Sequence, residues 1–129
     1  MSSTPLIAIV DDEESICRAL GRLIRSAHLD AETFPSGVEF LETIPDHKPD
    51  CVVLDLQMPR ADGFRVQAWL AEAGLRIPVI VITGRDTPET RARALENGAF
   101  AYFRKPVDGE ALLDAIAAAI ARKKGQKLH

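Results

Sequence analysis

Cys51-Val52-Val53-Leu54-Asp55-Leu56-Gln57-Met58-Pro59 decides how this chain is read. Four residues, Cys51 to Leu54, form an apolar run that leads straight into a carboxylate. A run of this length reads as a buried strand, and Pro59 cannot continue a central ladder. Asp55 is therefore expected at the carboxyl end of a central strand. In open parallel α/β sheets that edge is where ligands bind. A single aspartate there carries little weight, because strand-end aspartates often only cap the next helix. Its weight comes from the partners that other strand ends supply.

Working outward, Leu6-Ile7-Ala8-Ile9-Val10 is a second apolar run, and it ends in Asp11-Asp12-Glu13-Glu14. Ile16, Leu20, Leu23, Ile24 and Ala27 follow at helical spacing, with acids at the start and Arg22 and Arg25 near the end to suit the helix dipole. Ala31 to Phe34 is a brief strand, and Pro35-Ser36-Gly37 opens a second helix using Phe40, Leu41 and Ile44. Beyond the central run, Asp62-Gly63 begins a third helix with Val66, Trp69, Leu70 and Ala73 expected inward. Pro78 to Ile82 is a strand ending in Thr83-Gly84. Thr87 as cap and Pro88 at the first helical position start a fourth helix, which Asn97-Gly98 stops. Its apolar face is thin, Ala92, Ala94 and Leu95 against Arg91 and Arg93. Ala99 to Phe103 is a fifth strand ending in Arg104-Lys105-Pro106. Asp108 then caps a fifth helix with Leu112, Leu113, Ile116 and Ile120, and residues 123–129 read as a polar tail or the start of a linker.

Five short strands alternating with five helices predict a parallel sheet covered on both faces. Right-handed crossovers with one reversal give a doubly wound, flavodoxin-like α/β fold of strand order 2-1-3-4-5. The reversal lies between the first and third strands, where Asp11, Asp12 and Asp55 converge.

At 129 residues, 47% hydrophobic and 27% charged, the chain has the composition of one ordinary globular domain. A net charge of −3 argues against a nucleic-acid surface. Met1 to Pro5 lack the apolar core of a signal peptide, and no apolar run reaches membrane-spanning length. Cys17 and Cys51 have no metal-ligand spacing, so they read as reduced, packed thiols of a cytoplasmic protein.

Taken together, the strand ends offer Asp11, Asp12, Asp55, Thr83 and Lys105. Crowded carboxylates repel unless a cation holds them, and an all-oxygen set suits Mg²⁺. With that charge neutralised, Asp55 can attack a phosphoryl group as a carboxylate nucleophile. Phosphoryl transfer then needs mainly positioning and charge stabilisation, which Lys105 and the Thr83 hydroxyl can give.

In this order and spacing, Ile9-Val10-Asp11-Asp12-Glu13, Val53 to Pro59 with Asp62-Gly63, Pro78 to Gly84, and Gly98-Ala99 through Lys105-Pro106 resemble the receiver domain of two-component response regulators. The resemblance covers roughly residues 5–122, expected to be the receiver domain itself (1–122). The wording Ile82-Thr83-Gly84 and Arg104-Lys105-Pro106 is most similar to regulators of the nitrogen-fixation type. The resemblance implies that a sensor histidine kinase or phosphotransfer protein phosphorylates Asp55. Mg²⁺ would be held by Asp12, Asp55 and the Gln57 backbone carbonyl, with Asp11 acting mainly through water. Thr83 and Lys105 would bind the phosphoryl group, Thr83 and Tyr102 would switch, and the Lys105-Pro106 bond would be cis. The face of helix four, strand five and helix five, with Arg91, Arg93, Tyr102 and Arg104 on or near it, would serve output or homodimerisation. Such a module is a phosphoacceptor that loses its own phosphoryl group, not a turnover enzyme.

Neighbours set the variation: Gly84 leaves the phosphoryl site open, and Arg85 and the Gln57 side chain are expected to flank the opening and set the phosphoryl lifetime. Two rivals are weaker. Haloacid-dehalogenase-like phosphatases place Asp-x-Asp after the first strand and carry a cap domain, whereas this chain has adjacent Asp11-Asp12 and no cap. A flavin or nucleotide module would need a glycine-rich phosphate loop, which is missing. Within the family, a stand-alone phosphorelay shuttle or connector is the alternative to a receiver that controls a DNA-binding output.

Overall fold

A computed structural model of the protein describes residues 4–46, 48–58 and 62–127. Five strands, β1 (Leu6–Val10), β2 (Asp30–Phe34), β3 (Cys51–Asp55), β4 (Val79–Thr83) and β5 (Ala101–Arg104), alternate with five helices. These are α1 (Glu14–Ser26), α2 (Gly37–Thr43), α3 (Gly63–Glu72), α4 (Pro88–Glu96) and α5 (Gly109–Lys127). All strand pairs are parallel, in the order β2-β1-β3-β4-β5. This is the doubly wound α/β sheet that the alternating pattern predicts.

β3 and β4 are buried along their whole length, as expected of strands covered on both faces. Alternate residues feed two apolar layers. Val52, Leu54, Val79 and Val81 pack with Phe40, Val66, Leu70 and Ala94, under α2, α3 and α4. Ile7, Ile9, Val53, Ile80 and Ile82 pack with Leu20, Ile24, Leu112 and Ile116, under α1 and α5. Cys17 and Cys51 are buried in the second layer as free thiols, and burial pushes the Cys51 thiol up to about 12.

Helix starts follow local chemistry. Ser36, Asp62 and Thr87 each accept a hydrogen bond from an amide three residues on, those of Glu39 (3.2 Å), Arg65 (3.0 Å) and Thr90 (3.0 Å). Gly98, at φ +95°, ends α4 in the left-handed conformation that glycine adopts freely.

Several boundaries and faces differ from the sequence reading. Asp55 and Thr83 belong to their strands, because Leu56 N–H donates to Ile82 O (3.2 Å) and Lys105 N–H to Thr83 O (2.8 Å), extending the ladders. β5 begins at Ala101, not Ala99; the Ala99 amide instead closes the end of α4 by donating to Ala94 O (3.1 Å). α5 continues through Lys127, where a polar tail was expected after Arg122. Alanine-rich sequence before this point has high helix propensity, and Lys123 is anchored by Asp50 (3.8 Å) and Pro49 O (3.5 Å). Trp69 (38% exposed) and Ala73 face solvent, and the polar Gln67 takes an inward position on α3. On α4 only Ala94 is buried; Ala92 and Leu95 are exposed, so the helix is even thinner in apolar contacts than its sequence suggests. Pro59, read as the breaker after β3, lies outside the described residues, as do the ends of the chain at 1–3 and 128–129.

The start of α3 is pressed against the end of β3. A Cβ on Gly63 would lie 2.7 Å from both Asp55 O and Leu56 Cα, which are backbone atoms that cannot swing aside. Gly63→Ala is expected to cost about 1–3 kcal/mol through forced backbone movement. Urea unfolding would measure it, and a midpoint equal to the native one would show that α3 can slide without cost.

Candidate functional site

The carboxyl edge of β1, β3 and β5 gathers one cluster. Asp11, just past β1, is fully buried, and its Oδ1 accepts a 2.8 Å hydrogen bond from the Glu13 amide at the start of α1. Asp55 is 2% exposed, and its Oδ1 accepts from the Gln57 amide at 3.2 Å. Asp12 is exposed at the mouth. Ligand atoms of Asp11, Asp12 and Asp55 all lie within 4.8 Å of one another.

Lys105 enters from β5, its main chain fixed by the bond to Thr83 O. Its Nζ lies 2.9 Å from Asp11 Oδ2, 3.5 Å from Glu13 Oε1 and 3.6 Å from Asp55 Oδ2. The Lys105-Pro106 bond is cis. Burial disfavours the Lys105 ammonium, but Asp11, Asp55 and Glu13 outweigh it, so its pKa is raised. Asp55 is pushed from 3.8 up to about 6, first by burial and then by the charge of Asp11; the Gln57 amide and Lys105 only partly offset this. Burial and Asp11 also raise the nearby Cys17 thiol, whose Sγ contacts Asp11 O at 3.3 Å.

One lysine faces Asp11, Asp55 and Glu13, with Asp12 beside them, so carboxylates outnumber the cation that holds them. Such an excess of hard oxygen donors fits a divalent cation of the Mg²⁺ type.

Thr83 is fully buried on β4, but its hydroxyl is engaged locally: Oγ1 accepts from the Arg85 amide at 3.1 Å and donates weakly to Arg85 O at 3.4 Å. Arg85 and the exposed Gln57 line one cleft of about 460 Å³ with Leu56, Met58 and Asp62. A Cβ at Gly84 would only reach ordinary contact with Gln57 Oε1, at 3.7 Å.

Tyr102 is half-buried on β5, and its hydroxyl donates to Asp86 Oδ1 at 3.0 Å. Burial, then the bond to Asp86 and that carboxylate's charge, push the phenol up to about 12. Arg91 on α4 stacks over the ring at 4.8 Å and pairs with Asp86 at 3.4 Å. Arg93, expected on the same face, instead stacks over Phe64 of α3 at 4.0 Å. Arg104 is exposed at the end of β5.

Thus Asp11, Asp12, Asp55 and Lys105 are brought together, while the Thr83 and Tyr102 hydroxyls are engaged by Arg85 and Asp86 in the loop before α4. The sequence reading missed three contributors. Glu13, read only as part of an acidic helix start, pairs with Lys105. Asp86 holds Tyr102, and Gln67 donates from its buried amide to Ala94 O at 3.1 Å. Adjacency to Asp11-Asp12 was the only signal for Glu13; nothing local marked the other two.

Comparison with known proteins bears on the family and the fold. The family model described as response regulator receiver domain matches residues 7–117. The response regulator protein TmoT of Ectopseudomonas mendocina is 38% identical over 122 residues, which is 95% of this chain and 56% of that protein. The chain spans about half the length of the relatives it matches. A response regulator receiver protein from Burkholderia phymatum superposes with a TM-score of 0.82 at 42% identity, covering 92% of this chain and 96% of that one. The signal receiver domain of a putative Luxo repressor protein from Vibrio parahaemolyticus shares the fold, with a TM-score of 0.93 at 22% identity over 98% of this chain and 97% of that one.

Because Asp55 has a folded pKa of about 6 against 3.8 unfolded, folding favours its neutral form. Its contribution to stability is full below about pH 4 and is lost as pH rises through about 6. Without divalent cation, Asp55→Asn is expected to be more stable than the native chain at pH 7.5 by up to about 3 kcal/mol, and the gap is expected to close near pH 4. Urea titrations in a chelator at both pH values would show this; equal stability at pH 7.5 would contradict it.

Proposed function

Since the chain belongs to the response regulator receiver domain family, a family of signal-transduction modules rather than turnover enzymes, we propose that Asp55 is its phosphoacceptor. The observation that carries this is the placement of a buried carboxylate at the end of the central strand, 3.6 Å from the Lys105 ammonium and within a three-carboxylate cluster. An Asp55 carboxylate oxygen attacks phosphorus of a phosphohistidine in a sensor kinase or phosphotransfer protein. The P–O bond to Asp55 forms, the P–N bond breaks, and the imidazole leaves with the electron pair and takes a proton. Asp11, Asp12, Asp55 and the Gln57 carbonyl would hold Mg²⁺, which when bound neutralises the carboxylates and shields charge on the transferred group. Lys105 moves from its carboxylates toward a phosphoryl oxygen, and the Thr83 hydroxyl gives up Arg85 to donate to another. Hydrolysis at the same phosphorus restores the carboxylate.

Departure of Thr83 from Arg85 disturbs the loop that also carries Asp86, and so the hold on Tyr102. In this reading the face of α4, β5 and α5 is what a partner, an output segment or a second copy senses. α4 suits that part because few apolar contacts anchor it, and weakly anchored elements rearrange at low free-energy cost. A stand-alone phosphorelay shuttle is the second reading, favoured by no observation over a receiver with an output. The narrower kinship with nitrogen-fixation-type regulators rests only on the Ile82-Thr83-Gly84 and Arg104-Lys105-Pro106 wording.

Incubation with acetyl phosphate and Mg²⁺ is expected to add one phosphoryl group by intact mass, absent from Asp55→Asn and without the metal. If no adduct forms and beryllofluoride also fails to bind, Asp55 is not a phosphoacceptor. Gln57→Ala and Arg85→Ala are each expected to change the half-life of the phosphorylated chain several-fold, since in this reading the cleft that both side chains line is the route by which water reaches Asp55. Unchanged half-lives in both would remove them from that role.

A further inference from the structure

A second concavity lies at the other end of the sheet. Ile77 and Pro78 lead into β4, and Gly98 and Phe100 lead into β5, so in an all-parallel sheet this is the edge opposite Asp55. The last turns of α5 bring Arg122 and Lys123 to the same place, and Arg76 joins them from the segment between α3 and β4. The cavity measures about 250 Å³. Three of its seven lining residues are cationic and none is acidic.

That convergence is unexpected on a chain of net charge −3. The dipole of α5 acts within its last turn, which begins beyond Arg122. Nor does it account for Arg76, which lies outside any helix. Among the described residues neither arginine has an acidic partner, whereas Lys123 reaches Asp50 at 3.8 Å. Arg122 lies over the Phe100 ring at 5.5 Å, so one wall is a cation above an aromatic face. Beside it, Gly98 leaves open space, since a Cβ there would meet nothing within 4 Å.

Guanidinium groups are planar forks that match carboxylate and phosphate oxygens two at a time. Like charges held around one cavity repel, and an anion between them relieves that repulsion. Ile77, Pro78 and Phe100 add apolar surface that a bare hydrated ion does not use. The volume falls just under the ~300–1,000 Å³ of ordinary ligand pockets, which restricts the occupant to a small molecule. We propose that this cavity is a second ligand site, for a small organic anion made of a carboxylate or phosphate on a flat apolar body. Arg76 and Arg122 take the oxyanion, and Ile77, Pro78 and Phe100 take the body. The site shares no residue with the Asp55 cluster, so it stands or falls independently of the phosphoacceptor reading.

Amide NMR titration of the full chain tests this with four probes: benzoate, phenyl phosphate, inorganic phosphate and benzyl alcohol. Saturable shifts at Gly98, Phe100 and Lys123 are expected with benzoate or phenyl phosphate, and the tighter of the two identifies the head group. Arg76→Gln with Arg122→Gln is expected to weaken that binding at least about tenfold while the rest of the spectrum stays native. Arg18→Gln, an exposed arginine on α1, controls for loss of positive charge and is expected to bind as the native chain does. Should the double variant lose its native spectrum, Arg76→Gln alone gives the same comparison at an exposed position. The proposal is overturned by absent or non-saturable shifts, by unchanged affinity in the arginine variants, by equal loss in Arg18→Gln, or by equal binding of inorganic phosphate or benzyl alcohol.

Discussion

Lys105 Nζ stands 2.9 Å from Asp11 and 3.6 Å from Asp55, and this contact conditions everything at the carboxyl edge of the sheet. Two aspartates are almost wholly buried there, side by side, which isolated ionised carboxylates could not be. A single ammonium shared between them, and with Glu13, lowers the cost without removing it; Asp55 still sits near 6. The cluster is thus held short of neutrality, and a carboxylate kept in that condition gains by acquiring a cation. Removing Lys105 would leave the pair uncompensated, a loss of the kind that costs more than the pair itself contributes. Stability and chemistry at this edge therefore oppose each other, and the fold carries the difference in its two apolar layers.

α4 is held in an unusual manner for an element of the core. Only Ala94 is buried, and the remaining ties are polar or aromatic: Gln67 to Ala94 O at 3.1 Å, Arg93 over Phe64, and Arg91 over Tyr102. The hydrogen bond and each of the cation–π contacts contribute on the order of 1 kcal/mol. Against them stands the burial of one alanine methyl. The helix is held by several weak ties and by little apolar burial. The Thr83 hydroxyl and the Asp86 carboxylate both belong to the approach to this helix, three residues apart.

The fold was legible because its signals were local and redundant. Apolar runs of strand length, capping residues Ser36, Asp62 and Thr87, and the Asn97-Gly98 stop all agreed with one topology. Asp11, Asp12, Asp55 and Lys105 were legible because each lies within two residues of the end of an apolar run, so topology alone brings them together. What escaped had no local signal. Trp69 and Gln67 are two positions apart on α3, and helical spacing favoured the tryptophan inward; the backbone carbonyl of Ala94, invisible to any sequence pattern, makes the inward glutamine worth its burial. Arg93 turned toward Phe64 for a similar reason, since the aromatic face it covers lies on another helix. The length of α5 was missed because polar residues at its end read as tail, whereas Lys123 is anchored to the loop before β3.

Strand alternation orders the site more finely than its list of residues does. Asp11 continues the parity of Ile7 and Ile9, Asp55 that of Cys51 and Val53, and Lys105 that of Ala101 and Phe103, all of the α1 and α5 layer. Thr83 continues the parity of Val79 and Val81, and Tyr102 packs against that same layer, under α3 and α4. The charged cluster and the two hydroxyl side chains therefore belong to opposite faces of one sheet. β4 and β5 are their common wall, and the 2.8 Å bond from Lys105 N–H to Thr83 O joins the two sides through the backbone. In the proposed phosphoacceptor reading, a change of charge at Asp55 acts on one face through Lys105, and any effect on α4 has to pass the end of β4 to reach the other face. Thr83 is the side chain at that end, fully buried, with its hydroxyl tied among the described residues to Arg85. Its hydroxyl can exchange that local tie for a new acceptor across the sheet edge at the cost of about one ordinary hydrogen bond.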